Sequence, residues 1–134
     1  MNSMSAKEWL TKSWHNLSTA ALLYGVNHYT DIIAVELHYS IEKTLKSFLA
    51  YENQKIPKTH DLLEIYTLVD EFITIENKVI LSIATKYHIE ESYPCFNRSL
   101  PQREEVKEIL DFAQKLFDDV CSKLGINKNE ITHA

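Results

Sequence analysis

The sequence predicts an all-α fold, an antiparallel up-and-down helical bundle of four long helices plus a short extra helix. Glycine occurs twice and proline three times in 134 residues, fewer than the turns of a β-sheet protein of this length need. Apolar residues recur at spacings of three and four along most of the chain. Each glycine directly follows such a stretch, where a helix is expected to end.

The first helix is predicted to begin at Ser5 and to end before Gly25. Ser5 and Glu8 have the spacing of a capping box, in which two side chains accept hydrogen bonds from backbone N–H groups of the first turn. Its apolar stripe contains Leu10, Trp14, Leu17, Ala21 and Tyr24. We expect four aromatic residues to lie in the core or an interface rather than to form a platform on which bases stack: Trp9, Trp14, Tyr24 and Tyr29.

The second and third helices are predicted from about 28 to 53 and from near Thr59 onward. One face of the second helix carries Ile33, Ala34, Leu37, Ile41, Leu45 and Phe48. Pro57 keeps the connection extended, Thr59 is the expected N-cap, and Asp61 suits the positive end of the third helix. The third helix is expected to bury Leu62, Ile65, Tyr66 and Val69.

The fourth helix is predicted to begin near Thr74 and the last one near Pro101. The fourth is expected to bury Val79, Ile83 and Tyr87, and the last to bury Val106, Ile109, Leu110, Ala113, Leu116, Phe117, Val120 and Leu124. Ser99 and Gln102 are the expected capping residues of the last helix. Tyr93, in the irregular stretch between the two helices, is expected to pack back onto the bundle. Residues 126–134 are expected to form a frayed tail.

Composition limits the classes of function. Hydrophobic residues make up 45% and charged residues 25% of the sequence, which predicts a single domain over residues 1–134. No apolar stretch has the length of a membrane span or the form of a signal peptide. Two cysteines are too few for a disulfide scaffold, so a cytoplasmic location is expected. The net charge of −5 argues against broad nucleic-acid binding but is compatible with a local basic patch.

Three short motifs follow one another along the chain: H-Y-S-I-E-K-T-L-K from His38, P-K-T-H-D-L from Pro57, and Y-H-I-E-E-S-Y-P ending at Pro94. In this order and spacing, the sequence resembles the HEPN domain family over essentially its whole length. The resemblance is carried by Glu42, Lys43, Lys46, Pro57, Thr59, His60, Asp61, Leu62, Tyr87, Tyr93 and Pro94.

The resemblance implies a compact helical bundle that commonly dimerises and often partners a minimal nucleotidyltransferase encoded alongside it. Many members of the family are RNases, especially toxins of toxin–antitoxin pairs, and use an arginine and a histidine separated by four to six residues. In that chemistry the histidine transfers protons and the arginine stabilises the phosphate.

This sequence departs from the RNase pattern. Its only arginines are Arg98 and Arg103, and the next histidine after either is His133. The arginine that often precedes the Tyr-Pro pair in the family is replaced by Ser92. The sequence therefore predicts no catalytic residue of the usual kind.

A ligand groove is nevertheless expected between the second and third helices. Lys43, Lys46 and His60, with Arg98, are the candidate binding residues, since ammonium groups and free N–H groups at a helix start can hold a phosphate. The structural alternative is a surface pair of Glu42 and Lys46, with His60 merely packed at the helix start.

Metal binding is not predicted. His38 and Glu42 are four residues apart on one helix and could present two ligands on one face. Two ligands are too few for a stable site, and no cofactor motif such as a glycine-rich phosphate loop is present.

Three functions follow as hypotheses. The first is a non-catalytic HEPN-like module, a homodimer that contacts a nucleotide, RNA or a nucleotidyltransferase partner, in a system of the toxin–antitoxin type. The second is a metal-independent RNase with a non-standard site built from Arg98, Arg103, His60 or His88. The third is a purely structural dimer without a ligand.

Overall fold

The computed structural model describes residues 1–94 and 99–133, and in this part of the chain all regular structure is helical. The six helices are α1 (Ser3–Gly25), α2 (Thr30–Tyr51), α3 (Leu62–Val69), α4 (Lys78–Glu90), α5 (Arg103–Lys123) and α6 (Lys128–Thr132). The predicted helical bundle is thus confirmed, with one helix more than expected.

Helix α2 is the centre of the bundle. It packs along α1 and also contacts α3, α4 and α5. Because other helices cover several of its faces, α2 buries polar as well as apolar side chains. These buried polar residues are Thr30, His38, Ser40, Glu42, Thr44, Lys46 and Ser47.

Small hydroxyl side chains connect α1 and α2 where the two helices pack. The Ser13 hydroxyl lies 2.8 Å from the carbonyl oxygen of Ser40 and 2.6 Å from the Thr44 hydroxyl. Among the described residues, every buried side-chain nitrogen or oxygen has a hydrogen-bond partner. Burial of these polar groups therefore does not carry the cost of unpaired donors or acceptors.

Two helix starts differ from the predicted ones. Asn2 caps α1, since its side chain accepts a hydrogen bond of 3.0 Å from the Ser5 N–H; Ser5 therefore lies inside the helix. Asp61, rather than Thr59, caps α3 and accepts from the N–H groups of Leu63 and Glu64. The Thr59 hydroxyl instead accepts a hydrogen bond from the backbone N–H of Asp61, just before the helix begins.

Helix α4 begins at Lys78, not near Thr74. The Tyr66 hydroxyl accepts from the Ile75 N–H at 2.8 Å and donates to the Ile73 carbonyl at 3.1 Å, which holds this segment as a loop. The buried face of α4 is accordingly different from the predicted one. Val79 is 65% exposed, whereas the buried residues are Ile80, Leu81, Ala84 and Tyr87.

The C-terminal segment is ordered onto the bundle, so the expected frayed tail was wrong for residues 128–132. The Asn127 side chain caps α6 by accepting from the Asn129 N–H. Ile131 is buried in the core, and Glu130 pairs with Lys7 of α1 at 2.6 Å. An apolar anchor, a side-chain cap and an ion pair thus hold this short helix on the bundle.

The expected packing of Tyr93 was also wrong, because its side chain is 68% exposed. Tyr87 is the aromatic residue that packs into the bundle here. Its hydroxyl donates to Glu105 at 2.6 Å and so joins α4 to α5. Burial, together with the Glu105 carboxylate, raises the pKa of Tyr87. Cys95 lies outside the described residues.

Replacing Tyr87 by Phe is expected to lower the free energy of unfolding by about 1 kcal/mol, because the Glu105 carboxylate loses its donor. Tyr93→Phe removes the same hydroxyl from an exposed ring and should change stability by less than ~0.5 kcal/mol. Urea unfolding of both variants and the parent measures this difference. Equal losses in the two variants would contradict the assignment of Tyr87 as the packed tyrosine.

Candidate functional site around Glu42

Glu42 lies in the middle of α2 with its side chain only 6% exposed. Three side chains lie within hydrogen-bond distance of its carboxylate. His38 Nε2 lies 3.1 Å and His60 Nδ1 2.7 Å from Oε1, while Lys46 Nζ lies 3.0 Å from Oε2. His38, Glu42 and Lys46 are four residues apart, so the helical repeat places them in one row.

His60 reaches this row from the connection between α2 and α3. The Leu62 N–H donates to the Thr85 hydroxyl of α4 at 3.0 Å, which fixes the first residue of α3 against α4. His60 is half exposed, and its ring stacks on that of His88 with centroids 4.0 Å apart and planes 18° apart. A histidine of the α2–α3 connection and a histidine of α4 thus meet at the surface beside Glu42.

His38 is fully buried and is hydrogen-bonded at both ring nitrogens. Nδ1 lies 2.8 Å from the carbonyl oxygen of Ala84 in α4 and donates to it. With Nδ1 as the donor, Nε2 can donate to Glu42 only when the ring carries both protons. A neutral His38 ring therefore directs a lone pair at a carboxylate oxygen.

The electrostatics of the cluster favour an ionised Glu42 and a neutral His88. Burial by itself raises the pKa of Glu42, but the hydrogen bonds from His38, His60 and Lys46 outweigh it and lower the pKa to about 2. Burial lowers the pKa of His88, and the neighbouring His60 and His38 lower it further. Glu42 and Lys46 thus form a buried ion pair.

The predicted groove is only partly assembled. Lys46 and His60 meet through Glu42, but the Lys46 side chain is buried and directed at the carboxylate. Lys43 faces α1, where its Nζ donates to Asn16 Oδ1 at 2.8 Å and lies 5.4 Å from the centre of the Tyr39 ring. Burial lowers the pKa of Lys43. Arg98 lies outside the described residues.

Lys43 instead contributes to a cavity of about 580 Å³ at the surface of α1 and α2. The cavity is lined by Met4, Lys7, Glu8, Trp9, Thr11, Lys12 and Lys43. Trp9 is partly exposed here, with its ring 5.9 Å from Lys46 Nζ. The sequence interpretation had assigned Trp9 to the core or an interface and had not placed it beside Lys43.

Arg103 is engaged at the far end of α1. Its guanidinium donates to the Tyr24 carbonyl at 2.8 Å and lies 4.2 Å from the centre of the Tyr24 ring. These contacts join the start of α5 to the end of α1. Arg103 therefore has a structural role in this arrangement.

The fold and the site define an all-helical module with a polar row on its central helix, and comparison with known proteins identifies its family. Residues 6–124 match the HEPN domain family. The chain therefore belongs to this family, as the sequence motifs predicted.

A solved structure similar to this chain is the crystal structure of TT1696 from Thermus thermophilus. The two sequences are 28% identical, the TM-score is 0.76, and the match covers 92% of this chain and 99% of the other. None of the curated proteins matches the chain. Among the described residues, no helix combines the length and apolar character needed to cross a bilayer.

Glu42→Gln is expected to lower the free energy of unfolding near pH 7 by about 3 kcal/mol, because it leaves Lys46 without its buried partner. The folded-state pKa of Glu42 is depressed, so its stabilising contribution is present above the unfolded value and is lost as the pH falls through the folded value. The stability difference between parent and variant should therefore shrink between about pH 4.5 and pH 2.

Thermal and urea unfolding at stepped pH, in buffer containing EDTA, measure this difference. Glu108→Gln is the matched control, since Glu108 is exposed on α5. A stability difference for Glu42→Gln that stays constant down to pH 2 would show that Glu42 is not held ionised by this cluster.

Proposed function

We propose that this HEPN-family chain is a non-catalytic binding module that takes up a nucleotide or a short segment of single-stranded RNA in the cavity between α1 and α2. The observation that supports the proposal is the presence of Trp9 together with Lys7, Lys12 and Lys43 around one cavity. Its volume of about 580 Å³ lies in the range of small-molecule sites.

The chemistry of these side chains suits such a ligand. A base can stack on an indole ring, and phosphate oxygens accept hydrogen bonds from ammonium groups. Lys12 is exposed, and Lys7 pairs with Glu130 in an exposed ion pair. Because exposed ion pairs stabilise a protein little, a phosphate can compete for Lys7 at low cost. The overall charge of −5 makes this local group of lysines the favourable region for an anion.

The RNase alternative is favoured by one observation, the stacking of His60 on His88 at the surface. Two histidines can serve as general acid and base. A cleavage site also needs a cation that stabilises charge on the phosphate. Lys46 is buried against Glu42, and Arg103 is held by Tyr24. The binding module is therefore the preferred proposal.

Assembly as a homodimer is the second part of the proposal. Ile32, Tyr93 and Leu100 line a common groove near the start of α2 and the end of α4, and each is at least 45% exposed. Exposed apolar residues that cluster in this way are typical of protein contact surfaces. A second copy of the chain is the occupant that the family resemblance favours. The nucleotidyltransferase partner, the toxin–antitoxin setting and the cytoplasmic location stay predictions of the sequence.

Light scattering at tens of micromolar protein is expected to give the mass of a dimer. Ile32→Glu should shift the mass toward that of a monomer, because it places a charge in the apolar groove. Val79→Glu is the control, since Val79 is also exposed but does not line this groove. A monomeric mass for the parent protein would contradict the dimer.

Nucleotide binding can be followed through Trp9 itself. Trp9 and Trp14 are the two tryptophans of the chain, so a Trp14→Phe background leaves Trp9 as the only indole reporter. Titration with AMP or a short oligouridylate should quench its fluorescence, more strongly at low than at moderate salt. Lys43→Glu or Lys12→Glu should weaken binding by roughly 10-fold or more, since each removes a charge-assisted hydrogen bond.

The control for this titration is Lys78→Glu, which makes the same charge change on α4, outside the cavity. Binding that is unaffected by Lys43→Glu and Lys12→Glu would refute the cavity as the site. Cleavage of RNA by the parent protein that disappears in His60→Ala would replace the binding module by the RNase alternative.

A further inference from the structure

Three histidines that are distant in sequence converge on one point. His38 belongs to α2, His60 to the connection before α3, and His88 to α4. One ring nitrogen of each lies within 4.8 Å of the others. Nitrogens bound to one tetrahedral zinc ion lie roughly 3.4 Å apart, so the three histidines are near enough to share one ion once their side chains rotate.

The orientation of His38 supports a ligand role independently of this proximity. Its Nδ1–H donates to the backbone carbonyl of Ala84, the type of outer contact that fixes the tautomer of metal-binding histidines. In the neutral ring, Nε2 is thereby left with a lone pair, 3.1 Å from Glu42 Oε1. Two acceptor atoms at this distance repel each other unless a cation, either a proton or a metal ion, lies between or beside them.

Glu42 completes the arrangement. Its Oε1 faces both His38 and His60, while Lys46 occupies the other oxygen, Oε2. Oε1 lies beside two of the three histidines, and we infer that it serves as a fourth ligand once the rings turn toward the ion. Three imidazoles and one carboxylate suit zinc and neighbouring divalent transition metals, whereas calcium and magnesium prefer sites made of oxygen ligands.

From this geometry we propose that His38, His60 and His88, with Glu42, bind one divalent transition-metal ion of the zinc class. The proposal goes beyond the nucleotide cavity and uses none of its lining residues. The two proposals can thus fail separately.

Binding requires one change in the cluster. A metal ion lies in the plane of each imidazole that it binds, so rings stacked 4.0 Å apart cannot both reach one ion without turning. His60 is half exposed and His88 is partly exposed, and either ring can therefore rotate at the surface. The buried His38, whose ring is fixed by the Nδ1–H bond to the Ala84 carbonyl, supplies the rigid part of the site.

The test is calorimetric titration of the full chain, freed of any purification tag and of EDTA, with Zn²⁺. One equivalent is expected to bind. Co²⁺ in its place should give the visible absorption bands of a four-coordinate complex. His60→Ala and His88→Ala should each weaken Zn²⁺ binding by at least ~10-fold, the lower end of what loss of an outer hydrogen-bond partner already costs.

The matched control is His28→Ala, because His28 is exposed and lies outside the cluster; it should bind like the parent. Circular dichroism verifies that the variants at positions 60 and 88, both at the surface, keep their helices. Absence of stoichiometric Zn²⁺ uptake by the parent overturns the proposal. So does uptake that both histidine variants retain at the affinity of the parent.

Discussion

The buried carboxylate of Glu42 is the constraint on which the centre of this bundle depends. An ion removed from water costs several kcal/mol unless partners replace its hydration. Here the partners come from α2 itself, through His38 and Lys46, and from the segment before α3, through His60. The position of His60 is thus tied to the charge of Glu42, and the start of α3 is held to α2 by an electrostatic contact in addition to apolar packing.

The same constraint explains why α2 tolerates polar residues in the middle of the fold. Apolar side chains such as Leu37, Ile41 and Leu45 face the core. In the polar row, His38 contacts α4, Glu42 contacts the segment before α3, and Lys46 lies near Trp9 of α1. A helix covered on several sides cannot turn its polar row to solvent, so each polar group needs a partner inside the protein. These polar pairs form only when α2 is packed in one register against its neighbours. Apolar contacts are less selective, because one apolar side chain can replace another.

The helices were predictable because their signal is local, whereas the site depended on contacts that the sequence does not record. The spacing of Glu42 and Lys46 predicted their pairing, but only the packing of neighbouring helices on α2 makes that pair buried. The sequence named His88 only as a possible residue of a rearranged RNase site. Its contact with His60 and His38 was not predicted, because the face that α4 presents depends on where α4 begins. The helix was predicted to begin near Thr74 but begins at Lys78, because hydrogen bonds of Tyr66 hold the preceding residues in a loop. The spacing of apolar residues contains no signal for such a contact.

The two proposed sites are connected through Lys46. Its ammonium group lies 3.0 Å from Glu42 Oε2 and 5.9 Å from the centre of the Trp9 ring, which lines the proposed nucleotide cavity. A cation bound at Oε1 would share the negative charge that now pairs with Lys46 alone. The positive charge of Lys46 would then be less neutralised by Glu42, and the region near Trp9 would attract a phosphate more strongly. Since linkage between two binding equilibria is reciprocal, a phosphate near Trp9 would in turn favour the cation if both proposed sites bind their ligands.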